Sequence, residues 1–102
     1  MSDYSKFVIY KIFLIKDPST CYVGSTVNFS RRKSQHKKNC TNRCSKKYNC
    51  PLYQFIRAMG GWSMFDIIII EKYPCKTKQE GLTREKQLIE IHSSKININK
   101  PI

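Results

Sequence analysis

Residues 8–24, VIYKIFLIKDPSTCYVG, decide the fold of this chain. The stretch 6–15 is rich in Val, Ile, Phe and Tyr, which favour β-strands, and KDPST is typical of a turn with Pro18 at its corner. CYVG then predicts a second strand, so the chain opens with an antiparallel hairpin. Because side chains alternate along a strand, Val8 and Tyr10 share one face of the first strand.

The remaining sequence predicts three helices and one more strand. The predicted elements are a helix with Asn28 as N-cap that ends near Lys38, a helix over 51–59 stopped by Gly60 and Gly61, a strand over 64–73, and a helix from about Lys78 to His92. The second helix has an apolar stripe, formed by Leu52, Phe55, Ile56 and Met59. The third strand is apolar on both faces, so we expect both faces to be covered. The order β-β-α-α-β-α, without repeats or linkers, predicts one domain over 1–102.

The charge distribution indicates a polyanionic partner. The chain has 19 Lys and Arg against 7 Asp and Glu, a formal net charge of +12, and no acid lies between Asp17 and Asp66. Such a one-sided cationic face attracts nucleic-acid phosphates, although it could also serve only solubility. The candidate binding residues within the interval are Arg31, Lys33, Lys37, Lys38, Arg43, Lys46 and Lys47.

Two features predict an intracellular protein, in the cytoplasm or nucleus, that is not secreted and has no membrane partner. No run approaches the roughly 18–20 apolar residues that span a bilayer, and the opening residues do not form a signal peptide. The cysteines are odd in number, so we expect free thiols; they are Cys21, Cys40, Cys44, Cys50 and Cys75. A zinc site from His36, Cys40, Cys44 and Cys50 is the sharper alternative, but it lacks paired CxxC spacings and zinc is not expected.

Helical phase selects one arginine of the first helix. At about 100° per residue, Arg32 and His36 lie on the same face as the apolar Phe29, whereas Arg31 points elsewhere. An inward arginine needs an anionic partner, because an unpaired buried charge is costly. A core carboxylate or water at the surface could serve, but a substrate phosphate is the better candidate in a chain with so few acids.

The same reasoning selects one carboxylate of the last helix. Glu85 lies near the middle of an arc that also holds Leu82, Leu88, Ile89 and His92. A carboxylate there indicates an ion pair with Arg32 or a lysine, or a magnesium ligand. With an inward arginine, a histidine and the strand tyrosines, it would form a phosphodiesterase site.

These residues resemble the GIY-YIG endonuclease family. The two defining tripeptides appear as VIY at 8–10 and YVG at 22–24, with Arg32 ten and His36 fourteen residues after Tyr22. REKQLI resembles the helix that carries the family's metal-binding glutamate, at Glu85. Asn97 in KININKP is the best match for its asparagine, with Asn99 as the alternative. LYQFIRAMGGW resembles a segment of short members.

The resemblance implies a fold, a reaction and a set of roles. The fold would be α+β, with a small three-stranded antiparallel sheet flanked by helices, and the reaction would be DNA cleavage with one Mg²⁺ or Mn²⁺ per site. Tyr10 would assist deprotonation of the attacking water, Arg32 would stabilise the transition state, and Glu85 would bind the metal. Tyr22 and His36 would position the phosphate and water or share protons, and Asn97 would order the site.

Two positions depart from the family pattern. Val8 replaces the first glycine, and its side chain could crowd the site beside Tyr10. Ser25 replaces a lysine of the excision-repair branch, so the chain looks more like mobile-element or large-virus members and could be encoded by a virus. Two alternatives stay open: a non-catalytic nucleic-acid-binding module, and a catalytic subunit that needs a separate recognition partner. Double-strand cleavage with one metal per site predicts a homodimer on DNA.

Overall fold

The computed structural model describes residues 4–92 and has the element order predicted from the sequence. The elements are strands β1 (Val8–Leu14) and β2 (Asp17–Thr26), helices α1 (Phe29–Thr41) and α2 (Pro51–Ala58), strand β3 (Phe65–Lys72) and helix α3 (Lys78–Ile91). Single 3-10 turns cover Tyr4–Lys6 and Trp62–Met64. The predicted α+β fold is confirmed.

The three strands form an antiparallel sheet in the order β2-β1-β3, so β1 is central. The predicted turn over KDPST is wrong: the chain turns at residues 15–16, and Asp17 already pairs with Leu14. The register then shifts, so that Phe13 pairs with Cys21. The Asp17 carboxylate accepts hydrogen bonds from the hydroxyl groups of Ser19 and Thr20, which stabilise this irregular start of β2. Pro18 is tolerated there because an edge strand does not need the backbone N–H that proline lacks.

Two apolar cores lie on opposite faces of the sheet. Tyr10 and Ile12 of β1 pack with Leu52 and Ile56 of α2 and with Cys40 of α1. On the other face, Ile9 of β1, Val23 of β2 and Leu88 of α3 pack together with Phe7, which precedes β1. The alternation predicted for β1 therefore decides which helix each residue meets.

The expectation that β3 is covered on both faces is wrong. Ile68 and Ile69 are 42% and 38% exposed, whereas Phe65 and Ile67 are buried. β3 is an edge strand, and its run of four isoleucines reflects strand-forming preference as well as burial.

The helix boundaries follow local chemistry. The Asn28 side chain caps α1 by accepting a hydrogen bond from the Arg31 N–H at 3.1 Å, as predicted, but α1 continues three residues beyond Lys38. Gly60 and Gly61 have φ of +114° and +102°, left-handed values that end α2. Across residues 4–92, no helix is both long and apolar enough to traverse a bilayer.

Candidate active site

A cavity of about 390 Å³ lies beside β2, where the two faces of the sheet meet at its edge. Its lining combines Tyr10 of the central strand, Tyr22 and Ser25 of β2, Arg32 of α1 and Glu85 of α3. The structure therefore brings together four of the residues that the sequence selected, from four different elements. His36 lines the neighbouring cavity instead, and it is hydrogen-bonded to Tyr10, which lines the first one.

Tyr10 reaches this edge by crossing over Gly24. The two residues are paired in the sheet, and a Cβ at position 24 would lie 2.6 Å from the Tyr10 hydroxyl oxygen. Only glycine leaves room for the phenol there. Val8, which could have crowded the site, is buried and is not among the residues that line the cavity.

The hydroxyl of Tyr10 is hydrogen-bonded to His36 within the core of α1 and α2. Tyr10 Oη lies 2.7 Å from His36 Nε2, and His36 Nδ1 lies 2.8 Å from the Tyr53 hydroxyl. Burial, together with the nearby cations Arg32 and Lys47, lowers the pKa of His36 to about 4, so the imidazole is neutral at pH 7. Burial also raises the pKa of Tyr10 to about 12, which keeps its phenol protonated.

Arg32 projects into the cavity without a carboxylate partner among the described residues. Its Nη1 donates to the Ser25 carbonyl at 3.2 Å, and its guanidinium acts on the pKa of Tyr10 against the effect of burial. The ion pair found within residues 4–92 joins Arg84 to Glu71 and involves neither Arg32 nor Glu85. Pairing of Arg32 with a core carboxylate is therefore not observed, and its cationic group faces a polar cavity.

Glu85 enters the cavity from the opposite face of the sheet. It is half-buried on α3, and its Oε1 accepts a hydrogen bond from Ser25 Oγ at 2.5 Å. No ion pair to Arg32 or a lysine is present in the part of the chain that the structure describes. Its hydrogen bond leaves carboxylate lone pairs available to a hard cation.

Metal ligation by several protein groups is not seen in residues 4–92, where no three His, Cys, Asp or Glu side chains are arranged to hold an ion. In the arrangement described, both ring nitrogens of His36, a ligand of the zinc alternative, are engaged by tyrosine hydroxyls. None of the five cysteines, which all lie within the described residues, forms a disulfide. A magnesium site with one protein carboxylate needs no such cluster.

Two further cavities continue from the first along α1. One, of about 330 Å³, shares Tyr22 and Arg32 with it and is also lined by Asn39, Lys47 and Tyr53. The next, of about 520 Å³, shares Asn39 and Lys47 with the second. Among the predicted nucleic-acid-binding residues, Lys38, Lys46 and Lys47 line this groove, Arg31 lines a small cavity next to Arg32, and Lys33, Lys37 and Arg43 are exposed outside these cavities.

Arg57 lies in the interval between Asp17 and Asp66 that has no acidic residue, but its contacts are within the protein. Its guanidinium donates to the carbonyl oxygens of Cys40 and Tyr48, at 2.9 and 2.6 Å. It also stacks on the Tyr48 ring, 3.7 Å from the ring centre. Arg57 thereby fastens the basic loop between α1 and α2 to both helices.

Sequence reasoning missed Ser25 and Tyr53. Tyr53 lies in an apolar helix segment, and the apolar stripe predicted for that helix did not include it. The predicted stripe included Met59, which is exposed. Ser25 carried no signal except its position three residues after Tyr22. Asn97 and Asn99 lie outside the described residues.

Comparison with known proteins assigns the family. A family model for the GIY-YIG catalytic domain matches residues 6–97. Among solved structures, the chain is similar to the catalytic domain of homing endonuclease I-TevI, with 28% sequence identity and a TM-score of 0.71, over 90% of this chain and 94% of that chain. No match was found among curated proteins. The match spans both tripeptides and the cavity residues described above, and the chain therefore belongs to the GIY-YIG family of nucleases.

Proposed function

We propose that this nuclease is a metal-dependent DNA endonuclease that hydrolyses phosphodiester bonds in the cavity beside β2. The observation that carries the proposal is the convergence of Tyr10, Arg32 and Glu85, from a strand and two helices on opposite faces of the sheet, on one polar cavity. A cation, a carboxylate and a hydroxyl are the groups that phosphodiester hydrolysis requires. The similarity to a homing endonuclease domain supports DNA as the substrate.

Each cavity residue has a role that follows from its contacts. Arg32 would bind the scissile phosphate and stabilise the additional negative charge of the phosphorane. Tyr10 would assist the attacking water through its hydrogen bond to His36, since a phenol with a pKa of about 12 is a poor base alone. Tyr22 is also neutral, because burial raises its pKa, and it would position the phosphate by hydrogen bonding. Asn97 stays a predicted ordering residue.

The donor set fits one hard divalent cation, Mg²⁺ or Mn²⁺. Mg²⁺ is commonly held by one or two carboxylates together with substrate phosphate and water, and Glu85 offers one carboxylate in a polar cavity. The ion would supply Lewis acidity at the phosphate. Ser25 would hold the carboxylate in place.

DNA would follow the groove along α1. Arg32 and Asn39 are seven residues apart, which is about 10 Å of helix and about three nucleotide steps at 3.4 Å each. Lys38, Lys46 and Lys47 would then contact phosphates beyond the scissile one. Lys33 and Lys37 would contribute only to the long-range electrostatic attraction between the protein and DNA.

A supercoiled-plasmid nicking assay tests the chemistry. Glu85→Gln and Arg32→Ala should abolish nicking with Mg²⁺ while duplex binding is kept. Glu90→Gln is the matched control, because Glu90 is exposed on the same helix, and it should cut at the natural rate. A natural chain that cuts no duplex, nicked or branched DNA with either metal would overturn the proposal in favour of a non-catalytic module.

The salt dependence of binding tests the groove. Each lost phosphate contact should reduce the slope of log K against log salt by about one. Lys46→Ala with Lys47→Ala should therefore reduce it by about two, whereas Lys33→Ala with Lys37→Ala should leave it nearly unchanged. Equal effects of the two pairs would contradict a defined path.

Four expectations stay predictions. A homodimer on DNA would make double-strand cutting depend on protein concentration. A separate recognition subunit would be indicated if a partner were needed for activity. An intracellular location, and one domain over the whole chain, also remain predictions.

A further inference from the structure

We infer that Tyr53 is a positioning residue for the reaction: it fixes the tautomer of His36 and completes a hydrogen-bonded path along which the proton of the attacking water leaves the cavity. This inference rests on the proposed hydrolytic function. It assigns a role to a residue outside the tripeptides, the arginine and the glutamate by which the family is recognised.

The path is continuous and lies almost entirely in the core. Tyr53 is 4% exposed, and its hydroxyl lies 2.8 Å from Nδ1 of His36, whose Nε2 lies 2.7 Å from Tyr10 Oη. Beyond His36, the Tyr53 hydroxyl accepts a long hydrogen bond of 3.5 Å from Asn39, whose Oδ1 accepts one of 2.6 Å from Ser45. Tyr53 and Asn39 line the second cavity, so the path connects the reaction cavity through the core to the adjoining part of the groove.

The direction of the hydrogen bonds follows from the donors at one end. A neutral imidazole has one N–H donor and one lone pair. We assign the Tyr10 proton to the bond with His36 Nε2, because the guanidinium of Arg32, which acts on Tyr10, has only donors. The Tyr53 oxygen accepts from Asn39 and has a second lone pair for His36. The histidine proton is then on Nδ1, from where it is donated to the Tyr53 oxygen.

Proton transfer along this path leaves every protein group neutral. The proton ends on a water of the second cavity as hydronium, which releases it to solvent, and His36 ends as the Nε2–H tautomer and must return to the Nδ1–H form before the next turnover. The attacking water gives a proton to Tyr10 Oη as Tyr10 gives its own to His36 Nε2. The Nδ1 proton passes to Tyr53, and the Tyr53 hydroxyl proton passes to water in the second cavity. Burial raises the pKa of both tyrosines and lowers that of His36, so a concerted transfer through neutral groups suits them better than a stable phenolate or imidazolium.

The tautomer can be measured directly by ¹⁵N NMR of the histidine ring in the full chain at pH 7. We expect the Nδ1–H form of His36 in the natural protein and a shift to the Nε2–H form in Tyr53→Phe, which removes the acceptor but keeps the ring. Tyr48→Phe is the matched control, since Tyr48 packs its ring under Arg57 and lies outside the path. It should leave the tautomer unchanged.

Activity provides the second readout. Tyr53→Phe should lower kcat at least about tenfold, a part of the 10²–10⁴ that positioned proton transfer contributes, with KM for plasmid DNA unchanged. An Nε2–H tautomer in the natural protein would overturn the inference, and this measurement requires no variant to fold. An unchanged tautomer or kcat in Tyr53→Phe would also overturn it. Failure of the natural chain to cut DNA would instead reject the proposed function, while the tautomer would still decide the positioning.

Discussion

The side chain of Ser25 joins β2 to α3 at the candidate active site: its Oγ donates to Glu85 Oε1 at 2.5 Å. The same residue accepts a hydrogen bond from Arg32 through its carbonyl oxygen. Ser25 thus holds both the predicted metal ligand and the predicted phosphate ligand. Its position in an edge strand places these two groups, which come from opposite faces of the sheet, next to each other.

Replacing Ser25 with alanine should weaken metal use without loss of the fold. Loss of a hydrogen bond to a metal-binding carboxylate typically costs 10–100-fold in metal affinity or activity. We therefore expect Ser25→Ala to need about tenfold more Mg²⁺ for half-maximal nicking. Ser19→Ala, at an exposed serine of the same strand, is the control. An unchanged Mg²⁺ requirement would show that Ser25 does not orient Glu85.

Replacing Gly24 with alanine should destabilise the protein by about 1–3 kcal/mol, the usual cost of an overpacked site. The new methyl group would meet the hydroxyl end of Tyr10, whose buried ring cannot move freely. A double-mutant cycle in urea isolates this contact. Gly24→Ala should cost much less in a Tyr10→Ala background, and full additivity of the two costs would contradict the clash.

Acid should destabilise the fold through His36. Its pKa is about 4 in the folded chain against an ordinary 6.5, so between these pH values the unfolded chain binds a proton that the folded chain does not. The free energy of unfolding should thus fall by about 3 kcal/mol between pH 6.5 and pH 4. Denaturation at a series of pH values measures this, and His36→Gln should lack that part of the decrease. A natural-chain profile that is flat over the interval would refute the neutral, buried imidazole.

Arg57 should matter for stability and not for DNA. Arg57→Ala removes two charge-assisted hydrogen bonds and a stacked cation, at about 1.5–3 kcal/mol for each such bond to a charged group. Hydrogen exchange in the loop over 42–50 should accelerate, while the salt slope of DNA binding stays the same. Arg43→Ala, at an exposed arginine of that loop, should leave exchange unchanged. A smaller salt slope in Arg57→Ala would instead identify Arg57 as a phosphate contact.

Sequence periodicity located the site residues on helices because a helical face is set by local geometry. The phase that grouped Arg32 with His36, and the arc that held Glu85, depend only on about 100° per residue. The structure confirms that Arg32 and Glu85 line one cavity. Periodicity does not show that Ser25 meets Glu85 or that Tyr53 meets His36, because both contacts join residues distant in the chain and depend on how α2 and α3 pack on the sheet.

The misjudged segments have a common physical cause. KDPST and the isoleucine run of β3 both lie in edge strands, and an edge has no local signature in composition. Pro18 is compatible with either a turn or an unpaired edge position. Strand order is fixed by long-range pairing with β1, which composition does not report.

The placement of the two apolar cores makes the site sensitive to different mutations in different ways. The core shared by α1 and α2 supports His36 and Tyr53, whereas the core beneath α3 supports Glu85. Cavities created in the first core would loosen the proton-handling groups, and cavities in the second would displace the carboxylate relative to Arg32. Under the proposed function, selection can therefore adjust catalytic rate and metal requirement through separate sets of buried residues.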